Sequence, residues 1–198
     1  MEQRKISEFV TFIPGINTTR SEKQFGTTDI DYYDQADFEY DYRHEEGFLD
    51  TKPTGKSREE YSLDAGDVVI SNSMRIAATV GNRNAGKILS LNFIKVKFNN
   101  DKLDKSYFIY LFNTFSGVKR QKERELQGSS AALRLPVKSL NQIMIPVIDI
   151  EEQIKIGKAY IEMLKMQSKL NKYAGLLEQF VEVILEENLK EMKENEQL

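Results

Sequence analysis

Gly81-Asn82-Arg83-Asn84-Ala85-Gly86-Lys87 has the GxxxxGK spacing of a loop that cradles phosphate with backbone amides and a lysine. That chemistry also needs a hydroxyl after the lysine for Mg²⁺, and a helix behind the loop whose N-terminus meets the phosphate. Ile88 follows instead, and Ile88–Phe98 ends in the alternation of a strand, so no nucleotide site is expected. The same residues suit the tip of a β-hairpin that reads nucleic-acid bases. Asn can pair bidentately with adenine and Arg with guanine, and Gly lets the backbone come close. The single histidine, His44, lies among Arg43, Glu45 and Glu46 with no triad partner in view. Asp50-Thr51-Lys52, near Glu39 and Asp41, imitates a nuclease D-x-K pair, but carboxylates are dense enough there for chance to produce it. HExxH, GxSxG and GxGxxG are all absent, and the lack of cysteine excludes a thiolate metal site. The expectation is a chain with no catalytic residue, no metal and no cofactor.

Charge points in a more specific direction. The chain of 198 residues has a net charge of −3, which hides a strong asymmetry. Residues 1–66 carry 8 basic and 15 acidic side chains, residues 67–146 carry 13 and 5, and residues 147–198 carry 7 and 11. The middle third therefore has a net charge of +8, and a polyanion-binding surface needs only such a local excess. Within it, Lys119, Arg120, Lys122 and Arg124 form a basic helical patch suited to phosphate, while Asn82, Arg83 and Asn84 are the candidate base readers. Arg75, Lys87, Ser129, Ser130 and Arg134 complete the expected DNA-contact set. No run of eighteen apolar residues crosses a membrane, and Met1–Lys5 leads into no apolar signal region, so a cytoplasmic location is expected.

Short elements must hold these residues in place. Phe9–Ile13 reads as a β run stopped by Pro14-Gly15, Val68–Ser71 as a buried strand, and Ala77–Val80 as another. Residues 104–115 read as a helix capped by Asp104. The acidic and aromatic stretch from Asp29 to Tyr42 has no clean helical period and reads as loops and irregular strands. From Ile150 to about Met192 there is no proline. Ile156, Met163, Leu170, Leu177 and Ile184 recur in sevens, and Met166, Tyr173 and Phe180 recur three positions later. This is a coiled-coil pattern. A lone helix of that length would expose its seam, so these residues are expected to form a dimer interface. The fold class is α+β: a mostly β domain over 1–148, then a long helix over 149–198.

Several blocks resemble one family. Lys5-Ile6-Ser7-Glu8-Phe9-Val10 with Gly15 looks like its domain opening, and Leu63–Ser71 looks like its L-x-x-G-D strand. Gly128-Ser129-Ser130, Leu133-Arg134, Leu140, Ile143–Val147 and Glu151-Glu152-Gln153-Ile154 resemble its closing signature, which leads into a long helix. The family is the DNA specificity (S) subunits of type I restriction–modification systems. Ile148 stands where its members often have a second proline. The resemblance implies a bacterial, non-catalytic target-recognition domain that binds double-stranded DNA. It also implies methyltransferase (M) and possibly motor–nuclease (R) subunits as partners, which would carry the chemistry. Members usually have two recognition domains and two antiparallel helices. One of each here implies a half-subunit that forms an antiparallel homodimer. The alternative is an assembly protein that docks on a methyltransferase and carries a degenerate recognition domain.

Overall fold

The computed structural model describes residues 2–17, 30–43, 60–127 and 135–195. Its centre is an antiparallel sheet of four strands in the order β2 (Val10–Pro14), β7 (Phe93–Phe98), β4 (Val68–Ser71), β5 (Ile76–Thr79). Side chains alternate across a strand, so this register sends Val10, Phe12, Val68, Ile70, Ala77, Ile94 and Val96 into one core cluster. Val69, Ala78 and Phe93 go to a second cluster on the opposite face. With both faces covered, β4 is buried along its whole length, which is why Val68-Val69-Ile70 is an unbroken apolar run.

Helix α2 (Lys105–Asn113) covers the first face, and the side chain of Asp104 accepts a hydrogen bond from the Tyr107 amide at 2.8 Å, as the capping pattern requires. At its other end Asn113 satisfies the outer edge of β5. Its Oδ1 accepts from the Ala77 amide at 2.7 Å and its Nδ2 donates to the Ala77 carbonyl at 2.8 Å. The side-chain amide thus replaces a missing neighbouring strand. Helix α3 (Ser116–Gln127) follows, then the short helix α4 (Val137–Leu140).

The second face is covered by a helix where irregular chain was expected. Helix α1 spans Gln35–Arg43. Asp34 and Asp37 cap its start reciprocally: the Asp37 amide donates to Asp34 Oδ1 at 2.9 Å and the Asp34 amide donates to Asp37 Oδ2 at 3.1 Å. Asp37, Phe38 and Asp41 are buried and Tyr42 is half-buried beside them. A hydrophobic period is invisible here because half of the inward face is carboxylate. The Asp34-x-x-Asp37 spacing was the signal available.

A two-stranded pair, β1 (Glu2–Lys5) against β8 (Met144–Val147), ties the start of the domain to the segment that enters the long helix α5, Ile150–Asn195. Gly15 is required by a close approach, since a Cβ there would stand 2.1 Å from the Ser90 carbonyl oxygen. The fold is therefore α+β, a sheet domain followed by a long C-terminal helix. Among the described residues no helix is long and apolar enough to cross a membrane.

Candidate nucleic-acid interface

The loop from Gly81 to Lys87 is not a hairpin tip. It leaves β5 through a single turn of 3₁₀ helix, Asn82–Asn84, and leads to β6 (Ile88–Leu89). That strand pairs in parallel with β3 (Tyr32–Tyr33), outside the main sheet. Helix α1 clamps the loop from above. The Gly81 amide donates to Asp41 Oδ1 at 3.0 Å, and Asn84 Nδ2 donates to the Asp37 carbonyl at 3.2 Å. Lys87 Nζ donates to both Asp37 oxygens at 2.9 and 2.8 Å and lies 3.4 Å from Asp31 Oδ1. Burial works against the lysine's charge, but Asp37 and Asp31 outweigh it and hold its pKa above the usual lysine value. A lysine paired in this way, with no helix behind it, makes no phosphate loop. The acidic stretch thus faces the loop that was expected to read DNA.

The expected contact residues fall into three groups. Asn84 is fully buried and cannot reach a base in this arrangement, whereas Asn82 and Arg83 are exposed, with the Arg83 guanidinium 4.4 Å from the Tyr40 ring centroid. At the opposite end of β5, Arg75 comes close enough to α3 for its charge, with that of Lys119, to act on Lys122. Lys119, Arg120 and Arg124 are exposed on α3, and Glu123 and Glu125 stand exposed among them. Ser129, Ser130 and Arg134 lie outside the described residues, as do His44 and Asp50-Thr51-Lys52.

Lys122 corrects the expectation of a four-cation phosphate patch. It is buried, its Nζ donates to the carbonyls of Arg75 at 2.8 Å and Phe112 at 2.5 Å, and it sits 4.1 Å from the Phe112 ring centroid. Its burial, with the charges of Lys119 and Arg75 nearby, pushes its pKa down to about 8. Stability should therefore rise between about pH 8 and 10, where the unfolded chain holds a proton that folded Lys122 has released. Above about pH 10 the buried Tyr33 and Tyr107 and the half-buried Tyr42, whose pKa values burial raises, should reverse the slope, because the unfolded chain then loses its phenol protons first. Denaturant unfolding across this range should show a maximum near pH 10, and Lys122→Met should flatten the rise. A rise unchanged in that variant would show that another group causes it.

The expected helix seam also divides. Ile156 is half-buried against the domain's own core, with Tyr160 and Leu164, because the first turns of α5 pack on α2. At about 100° per residue Met163, one repeat later, stands only about 20° further round a straight helix, so what separates the two is distance along the axis from α2. Met163, Met166, Leu170, Tyr173, Leu177, Phe180 and Ile184 are all exposed. At that rotation their stripe lies roughly 130° around the helix from the face on the domain.

No family model matches the chain, and no curated protein matches its sequence. Solved structures do match. The chain is similar to the HsdS subunit from Thermoanaerobacter tengcongensis, with a TM-score of 0.51 and 20% identity over 87% of this chain and 39% of that one. It is similar to a chain from a study of complex assembly and conformational transition in the type I R-M system, with a TM-score of 0.55 and 18% identity over 87% of this chain and 40% of the other. It is also similar to the type I restriction-modification S subunit from M. genitalium, with a TM-score of 0.52 and 16% identity over 92% and 43%. The chain thus shares the S-subunit fold and spans about two-fifths of the length of each.

Proposed function

We propose that this chain is a DNA-recognition subunit that directs a type I restriction–modification assembly to its target and carries out no chemistry itself. One observation supports this above others. A sheet domain with exposed cations at one end is packed through α2 on the first turns of a helix whose apolar seam faces away from that domain. The domain over 1–148 binds duplex DNA, with Lys119, Arg120 and Arg124 against phosphates, and Asn82 and Arg83 as a second contact beyond β5. The helix over 149–198 pairs antiparallel with a second copy and also meets methyltransferase subunits. A cytoplasmic location goes with this role.

Replacing Lys119, Arg120 and Arg124 together with Ala should weaken binding to all duplexes alike. The dependence of log K on log salt should fall by about one unit per cation removed. Unchanged affinity would remove α3 from the interface.

The second reading, an assembly protein with a degenerate recognition domain, is favoured by one feature. Glu123 and Glu125 dilute the basic face of α3, and Lys87 is held by Asp37 and Asp31. Steeply salt-dependent binding that prefers one duplex over random DNA separates the two readings in favour of recognition. Methyltransferase binding without any duplex preference would favour assembly.

A further inference from the structure

We propose that Arg75 reads a guanine edge in a DNA groove and that Lys122 is the positioning residue that fixes it. The proposal rests on the DNA-recognition reading above and assigns its specificity to the β4–β5 turn rather than to the clamped loop. Arg75 is the one residue other than glycine with a positive φ among the described residues, at 59°. That left-handed backbone is unfavourable for an L-residue, and such strain gathers at functional sites.

The surroundings hold the strain from several sides. The Arg75 amide donates to the Ser71 carbonyl at 2.8 Å, and the Arg75 carbonyl accepts from Lys122 Nζ at 2.8 Å. The turn is also tied to the start of α1, where Ser73 Oγ donates to Gln35 Oε1 at 3.4 Å and Gln35 Nε2 lies 3.1 Å from Met74 Sδ. A buried ammonium without a carboxylate is a costly anchor, and what it anchors is a backbone carbonyl at the tip of a turn. The guanidinium itself makes no ion pair or hydrogen bond among the described residues.

A phosphate contact needs no such rigidity, and Lys119 can supply one nearby from an ordinary helix. Bidentate recognition of guanine needs a planar fork held in a fixed orientation. Met74, 37% exposed beside Arg75, adds an apolar contact of the kind that meets a thymine methyl.

The test uses the full chain and fluorescence anisotropy at fixed salt. Duplexes enriched by the wild-type protein from a randomised library are compared with a scrambled duplex. Arg75→Lys should bind the scrambled duplex within about twofold of wild type and lose roughly 10- to 100-fold of its preference for the enriched one. Lys122→Met should lose preference in the same direction although Arg75 is present, and Lys122→Gln, which keeps a donor, should regain most of it. If Lys122→Met does not fold by circular dichroism, Arg75→Gly, which relieves the backbone strain, carries the test, and its loss of preference is the supporting result. Preference retained in the Arg75 variants overturns the proposal. So does an equal loss on both duplexes in Arg75→Lys, which would make Arg75 a phosphate contact. A wild-type chain that binds no duplex overturns the DNA-recognition reading itself, and this proposal with it.

Discussion

Gln153→Leu is expected to lower the stability of the whole domain by about 3–5 kcal/mol, because it removes the partner of three backbone groups at once. Gln153 Oε1 accepts from the Asp104 amide at 3.0 Å, and its Nε2 donates to the carbonyls of Lys102 at 3.0 Å and Ile148 at 2.9 Å. The residue is 1% exposed, so water cannot replace these bonds without opening the joint. One turn further on, a Cβ at Gly157 would stand 2.7 Å from the Tyr107 nitrogen and 2.8 Å from Asp104 Oδ1. The start of α2 cannot retreat from it without losing the Asp104 cap. Gly157→Val should therefore cost about 3 kcal/mol by overpacking. The double variant should cost less than the sum, since both act on one contact. Denaturant midpoints measure all three. Losses below about 1 kcal/mol would show that the first turns of α5 unfold separately from the domain.

Leu177→Glu combined with Phe180→Glu is expected to abolish self-association while leaving the domain's melting temperature unchanged. The two side chains are 64% and 61% exposed, and their stripe faces away from the sheet. Each buried Leu or Phe is worth about 1.5–3 kcal/mol. Met163, Met166, Leu170, Tyr173 and Ile184 extend the seam, and two-fold symmetry doubles every contribution. A pair of glutamates in that seam places like charges in an apolar contact, a cost that such a dimer cannot absorb. Sedimentation of wild type and variant decides the matter. A monomeric wild type, or a variant whose mass does not change, would assign the seam to another partner. Leu176, Val181, Val183 and Leu185 are exposed as well, which widens the apolar arc to about 200° at 100° per residue. That is more than a two-stranded contact covers, so association with a methyltransferase subunit should bury what the homodimer leaves open.

The lysine that was expected at the surface shows why contact residues were harder to read than elements. Lys119, Arg120, Lys122 and Arg124 look alike in a helical run, and a helical period alone does not say which face turns inward. Only the position of α3 against Phe112 and the Arg75 carbonyl takes Lys122 out of the solvent-facing set. Asn82 and Asn84 likewise differ by two residues in one loop, yet α1 leaves the first exposed and buries the second.

Strands β4, β5 and β7, helix α2 with its Asp104 cap, and the 46 residues of α5 were legible in the sequence, because each rests on local period, capping or turn chemistry. The α+β class and the seven-residue apolar repeat from Ile156 follow from those elements alone, whereas the packing of α5 on α2 decides that the exposed part begins at Met163. Tertiary structure decided the rest. Helix α1 exists because Asp37 and Asp41 find Lys87 and the Gly81 amide across the fold, beside the Tyr33 hydroxyl eight residues before Asp41. Carboxylates become inward-facing residues only when such partners are present, and residues 40 to 50 positions away leave no trace in a local pattern. The same holds at Arg75, whose left-handed backbone is fixed by a lysine 47 residues further along the chain.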